Sequence, residues 1–185
     1  MVEVLVLLAV AGLTVYLWDR GRRERALGWL GVIAAGWARR RRARRITMAG
    51  DEFFRKEQYE EALGHYAQAI ELDPRFAAAY NHRGLVYWSL DDVERAIADY
   101  SRAIKLKPRH GPFYYSRALA HRALGNREAA IADFEKVLEL TPSFSSLRGW
   151  GQGYTAIADF EKVLEWSGDA RLIAEAREQI AELRG

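Results

Sequence analysis

Three prolines, Pro74, Pro108 and Pro142, recur at an interval of 34 residues in this 185-residue chain. A fixed period of this length is typical of architectures in which one small structural unit is stacked repeatedly. Because each unit buries its apolar face only against its neighbours, this spacing constrains the fold more strongly than the composition does. The sequence therefore predicts a repeat protein over residues 43–142.

Residue types recur at matching positions when the three units are aligned on these prolines. The apolar residues before each proline fall at helical spacing, and the proline ends that helix because it cannot continue it without losing a hydrogen bond. Each unit ends in a similar phrase, AIELDP, AIKLKP or VLELTP. The equivalent sets are Gly50, Gly84 and Ala118; Ala62, Ala96 and Ala130; Tyr66, Tyr100 and Phe134; Ala69, Ala103 and Val137; and Phe53, Tyr87 and His121.

This order of small, aromatic, alanine and proline positions resembles the tetratricopeptide repeat (TPR) family over residues 43–142. The resemblance implies an all-α fold, namely a solenoid of helical hairpins with three full repeats. His121 departs from the aromatic pattern, and we interpret it as a packed residue without a functional role. Asp91 with Glu94 is predicted to cap the second helix of the middle repeat.

Residues 143–185 are predicted to hold a truncated fourth repeat and a capping helix. The sequence AIADFEKVLE occurs at 130–139 and again at 156–165, only 26 residues later. The second copy is therefore too close for a full unit, and three glycines within 145–153 disfavour a long helix there. Residues 169–184 have the amphipathic spacing of a final helix that shields the open end of the solenoid.

An apolar stretch, residues 1–18, opens the chain. Val2 to Trp18 carries one charge, at Glu3, and as a helix would rise about 26 Å, slightly less than the roughly 30 Å of a hydrocarbon core. Arginines follow this stretch and no small-residue cleavage site does, which favours a transmembrane anchor over a signal peptide. The alternative is a buried core helix. The positive-inside rule places the N-terminus of a single-pass protein outside and the repeats on the cytoplasmic side.

Residues 19–45 are read as an arginine-rich juxtamembrane segment that contains a short apolar helix at 26–37. Residues 1–45 have ten arginines against three acidic residues, a net charge of +7, which leaves −4 for the remainder. Twelve residues are too few to span a bilayer, so we expect helix 26–37 to lie at the membrane interface, with Trp29 and Trp37 at headgroup depth, or to pack on neighbouring membrane helices. The arginines expected to contact anionic lipid headgroups are Arg22, Arg23, Arg25, Arg39, Arg40, Arg41, Arg42, Arg44 and Arg45.

No pattern in the sequence indicates catalysis. The chain has no cysteine, and its four histidines are scattered. It has no phosphate-binding glycine loop, no nucleophile elbow and no paired-carboxylate motif. We therefore predict that the protein is not an enzyme, needs no cofactor and holds no metal ion.

The resemblance implies that side chains of the first helix of each repeat line a concave groove that binds a peptide or helix of another protein. Aromatic groups in such a groove favour an apolar or amphipathic segment, although packing between repeats is an alternative role for Trp88. The implied groove residues are Thr47, Asp51, Phe54, Asn81, Leu85, Trp88, Tyr115, Leu119 and Arg122.

Some TPR domains clamp the C-terminal carboxylate of a chaperone with a lysine, two asparagines, a second lysine and an arginine. None of the five matches here, so this type of co-chaperone function is disfavoured. The matching positions hold Thr47, Asp51, His82, Pro112 and Ser116.

The sequence thus predicts a membrane-anchored TPR adaptor or scaffold whose partners are another protein and anionic membrane lipid. Small anchored TPR proteins of this plan resemble assembly factors or accessory subunits of respiratory or photosynthetic membrane complexes. One alternative is a fixed structural subunit that recruits no peptide. Nucleic-acid binding through the arginine run is less favoured, because aromatics are not interleaved with the arginines and the body is acidic.

Overall fold

The computed structural model describes residues 20–140 and, beyond them, 166, 168, 170, 171, 173 and 174. Over residues 20–140 the chain forms six α-helices and no strand, which confirms the predicted all-α solenoid of three helical hairpins. The hairpins pair α1 with α2, α3 with α4, and α5 with α6. The helices are α1, Arg20–Arg55; α2, Tyr59–Leu72; α3, Ala77–Ser89; α4, Val93–Leu106; α5, Gly111–Ala123; and α6, Arg127–Leu140.

Helix α1 is longer than the sequence predicted. The apolar segment 26–37, expected as a short separate helix, is part of one continuous 36-residue helix. The physical reason is that no proline interrupts residues 20–55 and that the segment following Trp37 consists of alanine and arginine, which are strong helix formers. The chain divides into two compact units, Met1–Arg42 and Ala43–Gly185, and α1 contributes residues to both.

The predicted anchor, residues 1–18, lies outside the described residues. Among the residues that are described, no helix has an apolar stretch of the length needed to cross a membrane.

Each buried cluster of the second unit joins three successive helices. Ala62 and Tyr66 of α2 pack with Val86 of α3, and Phe53 of α1 lies against them. The next cluster repeats this plan one hairpin later, with Tyr100 of α4 as its buried ring. It combines Val93, Ala96 and Tyr100 of α4 with Ala120 of α5, and Leu85, Tyr87 and Trp88 of α3 lie against it. The stacking of hairpins therefore follows from cores that no single hairpin completes.

Glycine is required where the two helices of a hairpin approach each other. A Cβ atom added to Gly84 would lie 2.6 Å from Cε1 of Tyr100, and one added to Gly50 would lie 2.7 Å from Cε1 of Tyr66. Both rings are only 1% exposed, so they have no free space into which to move. The small and aromatic positions that recur in the sequence are thus in direct contact with each other in the first two hairpins.

The turn within each hairpin has the same backbone form. The second residue after the first helix is left-handed, with φ of 59° at Glu57, 60° at Asp91 and 74° at Gly125. This conformation closes a Schellman motif, in which a backbone N–H reaches the carbonyl five residues earlier. These hydrogen bonds run from Gln58 to Phe53, from Asp92 to Tyr87 and from Asn126 to His121.

The predicted cap of α4 at Asp91 is wrong by one residue. Asp91 supplies the left-handed conformation of the turn, so the N-cap position falls to Asp92. The Asp92 carboxylate accepts a hydrogen bond from the backbone N–H of Arg95 at 3.1 Å. It therefore satisfies one of the free N–H groups at the start of the helix.

A bidentate ion pair joins the two helices in the second and third hairpins. Arg83 donates to both oxygens of Asp99 at 2.7 and 2.8 Å. Arg117 donates to both oxygens of Asp133 at 2.8 and 2.7 Å. Both aspartates are buried, and a two-point contact of this kind fixes the orientation of the helices as well as their separation. The equivalent positions of the first hairpin hold Ala49 and His65, which cannot form the pair.

His121 occupies the position held by Phe53 and Tyr87 in the preceding hairpins. It is partly buried on α5, and its Nδ1 atom has no hydrogen-bond partner among the described residues. Burial lowers the pKa of His121, Asp133 opposes this effect and Arg117 adds to it. The side chain thus packs as an aromatic ring does but leaves a polar atom unsatisfied.

Little of the predicted fourth repeat and capping helix falls within the described residues. Trp166, Ala170, Arg171, Ile173 and Ala174 are helical, and Gly168 between them has a left-handed φ of 62°. The guanidinium of Arg127 lies 5.3 Å from the ring centroid of Trp166. The remaining residues of 143–185 lie outside the described part of the chain.

We expect Gly84→Ala to lower the free energy of unfolding by about 1–3 kcal/mol, because the new methyl group overpacks the buried ring of Tyr100. The matched control is Gly64→Ala, since a Cβ at Gly64 on α2 meets nothing within 4 Å. Both variants share the helix-propensity gain of about 1 kcal/mol, so only the control should gain stability. Circular dichroism that monitors unfolding of the full chain in mild detergent measures the stability of both variants. Equal changes in the free energy of unfolding would contradict the steric explanation.

We expect His121→Phe to raise the free energy of unfolding at pH 7 by about 1 kcal/mol, because it removes an unsatisfied polar atom. The substitution should also make the free energy of unfolding depend less on pH. The pKa of His121 is lower in the folded state, so the unfolded chain takes up the proton first as the pH falls below about 6.5, and stability declines. Unfolding measured between pH 7.5 and 5 should show a smaller decline for the variant, and an unchanged slope would contradict this account.

Candidate functional site

The nine residues predicted to line a groove lie on α1, α3 and α5, the first helices of the three hairpins. Three of them are buried: Thr47 is 3% exposed, Asn81 8% and Tyr115 7%. The ring of Tyr115 packs edge-on against Phe134 of α6, with centroids 6.0 Å apart. These three side chains therefore contribute little exposed surface to any groove.

The other six predicted residues are partly exposed: Asp51, Phe54, Leu85, Trp88, Leu119 and Arg122. Trp88 packs against the cluster that contains Tyr100 and Ala120. It therefore takes part in packing between repeats, the alternative role predicted for it, and it also retains accessible surface. Phe54 packs against Tyr66 and Val86 in the corresponding way. The structure thus provides accessible apolar surface on successive first helices.

Asp51 lies at the centre of a polar network that the sequence did not predict. Its Oδ1 atom accepts a 2.8 Å hydrogen bond from the Tyr66 hydroxyl and lies 2.6 Å from Nδ1 of His82. The network therefore joins α1 to α2 and to α3. Burial would raise the pKa of Asp51, but the hydrogen bond and charge of His82, the Tyr66 hydroxyl and the charge of Arg55 together lower it. The carboxylate is accordingly ionised at neutral pH.

The five positions that correspond to a carboxylate clamp offer no free cation. The Thr47 hydroxyl donates to the backbone carbonyl of Ala43 at 3.0 Å, and the Ser116 hydroxyl donates to that of Pro112 at 3.1 Å. Asp51 and His82 contact each other. This part of the surface therefore presents a carboxylate that His82 contacts at one oxygen and hydroxyl groups that are already engaged.

In the part of the chain that the structure describes, no group of three histidine or acidic side chains is placed to hold a metal ion.

Helix α1 carries the predicted lipid-binding arginines. Of these, Arg39, Arg40, Arg41, Arg42, Arg44 and Arg45 have exposed side chains. Arg22, Arg23 and Arg25 lie on the same helix, but their side chains are not described. Within the first unit, Trp29 is 69% exposed, Val32 68% and Trp37 76%. Large apolar side chains that are exposed to this degree usually mark a contact surface.

The repeats match models of a known family. Residues 50–91 match a model described as TPR repeat, and residues 77–110 and 111–144 each match one described as Tetratricopeptide repeat. No curated protein sequence matches the chain.

Solved TPR structures are similar to the chain. The first TPR of Spaghetti (RPAP3), bound to the HSP90 peptide SRMEEVD, shares 28% identity with a TM-score of 0.54, covering 63% of this chain and 93% of that one. The second TPR of the same protein, bound to the same peptide, shares 30% identity with a TM-score of 0.53, covering 55% and 94%. The Arabidopsis OM64 TPR domain shares 22% identity with a TM-score of 0.59, covering 69% and 98%, and this likeness concerns the fold alone.

Proposed function

The chain belongs to the tetratricopeptide repeat family, and from this premise we propose that it is a membrane-anchored adaptor that binds a segment of another protein in its groove. In this role it serves the assembly of a membrane protein complex or acts as an accessory subunit of one. The function is one of binding, and it requires no cofactor.

The observation that carries the proposal is the accessible apolar surface on successive first helices, formed by Leu85 and Trp88 on α3 and Leu119 on α5. A partly exposed tryptophan beside leucines offers area that an apolar side chain of a partner can cover. TPR domains with 28% and 30% identity hold a peptide of another protein, which supports the same use of this surface.

The peptide bound by those domains is acidic, whereas the corresponding positions of this chain offer no free cation. The proposed ligand is therefore an apolar or amphipathic segment, not a C-terminal carboxylate. Because Tyr115 is buried, the residues available for contact are the partly exposed ones.

We expect the double variant Trp88→Ala and Leu119→Ala to reduce partner recovery at least tenfold, since truncating central apolar contacts costs more than about 1 kcal/mol each. The measurement is affinity purification of the full chain from detergent extracts with quantitative mass spectrometry.

The matched control is Leu90→Ala with Leu124→Ala, two leucines that follow α3 and α5 and are 47% and 41% exposed. It should leave recovery within about twofold of the unmodified chain. Circular dichroism establishes that each double variant is folded. Equal recovery from all three proteins would contradict the groove, and co-migration at fixed stoichiometry on native gels despite the groove variant would indicate a structural subunit instead.

The membrane part of the proposal is supported by the apolar sequence 2–18 and by the described part of α1. Exposed Trp29 and Trp37 are suited to the headgroup region, and the exposed arginines 39–45 complement anionic lipid at about 1 kcal/mol for each basic residue near the surface. We place the N-terminus outside and the repeats on the cytoplasmic side.

We expect Leu7→Arg with Leu8→Arg to release the protein from membranes washed in alkaline carbonate, because an arginine near the middle of a spanning helix costs about 2.5–3.5 kcal/mol. The control, Leu90→Arg with Leu124→Arg, adds the same charge at exposed leucines outside the proposed span and should stay in the pellet. Release of the unmodified chain by carbonate would contradict the anchor.

A further inference from the structure

The carboxylate of Asp51 is a partly exposed hydrogen-bond acceptor in the first two hairpins. Asp51 is about one-third exposed, at 32%. Tyr66 and His82 both contact its Oδ1 atom, and no hydrogen bond from the described residues reaches Oδ2. Arg55, one turn further along α1, is exposed, so solvent screens its charge. An ionised oxygen of Asp51 therefore remains open to a ligand.

A second acceptor lies next to this network in the sequence. Asn81 immediately precedes His82 on α3 and is only 8% exposed. Its Oδ1 atom is buried and accepts no hydrogen bond from the described part of the chain. A buried acceptor without a partner costs about 1–3 kcal/mol, so this part of α3 also lacks a hydrogen-bond donor.

The neighbouring hydroxyl groups do not donate hydrogen bonds to these acceptors. Thr47 and Ser116 both donate to backbone carbonyls of their own helices. A donor to Oδ2 of Asp51 can therefore come from a ligand. A lysine ammonium or an arginine guanidinium provides several N–H donors and a positive charge, but a carboxylate provides neither.

We propose that this part of the groove selects a partner segment that carries a lysine or arginine, with its cation on Oδ2 of Asp51. The same carboxylate repels a segment that presents a C-terminal carboxylate or an acidic side chain. The inference rests on the proposed function, and it adds the requirement that the ligand carries a positive charge.

The attraction of basic segments and the repulsion of acidic segments each have a physical cause. A charge-assisted hydrogen bond in a partly desolvated site is stronger than a neutral one, and a like charge placed there is unfavourable. Specificity is the difference between these two effects, so one aspartate can favour basic segments and reject acidic ones.

The test is a selection of displayed random 12-residue peptides on the immobilised full chain in detergent, with the peptide SRMEEVD as a separate probe. We expect the recovered peptides to combine apolar residues with a lysine or arginine. Replacing that basic residue by glutamate in synthetic copies should weaken binding at least tenfold by fluorescence anisotropy, and SRMEEVD should bind more weakly than the selected peptides.

Three variants assign the effect to Asp51. Asp51→Asn should reduce the preference for lysine over glutamate to below twofold, and Asp51→Glu should retain it. Glu52→Gln removes the same charge from the adjacent exposed position and should leave the preference unchanged. Circular dichroism melts establish that each variant is folded.

Equal binding of lysine and glutamate peptides, or a preference that survives Asp51→Asn, would overturn the charge inference. The proposed function would stand in that case if Trp88→Ala with Leu119→Ala still abolished binding. A loss of preference in Glu52→Gln equal to that in Asp51→Asn would also overturn it, because the effect would then reflect net charge alone. If no peptide depended on Trp88 and Leu119, both proposals would fail.

Discussion

The structure depends on one steric constraint, the contact between a residue without a side chain and a buried ring. Gly84 lies against Tyr100, and Gly50 lies against Tyr66, at distances that leave no room for a Cβ atom. This contact sets how closely the two helices of a hairpin approach. The close approach lets Val86 and Ala120 complete the cores of the preceding hairpins. The first helices are therefore placed in succession, and their partly exposed residues form the candidate groove.

The sequence predicted the helical hairpins through residue types that recur at a fixed period and resemble the TPR pattern, but it did not predict that the first helix begins at Arg20. It did not predict the ion pairs of Arg83 with Asp99 and Arg117 with Asp133. Arginine and aspartate 16 residues apart resemble ordinary surface charges until the facing sides of two helices are known. The N-cap at Asp92 was missed for a related reason, since only the left-handed backbone of Asp91 moves the cap by one residue.

The candidate site was predictable to a lesser degree. The helices that carry it were identified correctly, but Thr47, Asn81 and Tyr115 are buried while their neighbours one turn away are partly exposed. The three buried residues occupy equivalent positions, 34 residues apart, so their burial follows from the stacking of the hairpins and not from their own residue types. Asp51 was predicted to line the groove, whereas His82 was considered only as a departure from the clamp pattern. Their contact across 31 residues required the stacking of the first two hairpins to be known.

The sharing of cores between hairpins also has a consequence for the order in which the chain acquires its structure during synthesis. All the buried clusters described connect neighbouring helices, so the contacts are local in sequence and can form early. The first hairpin nevertheless cannot close its apolar face when α2 leaves the ribosome, because Val86 arrives only with α3. Each hairpin must wait for the helix that follows it, and folding advances along the nascent chain one helix behind translation.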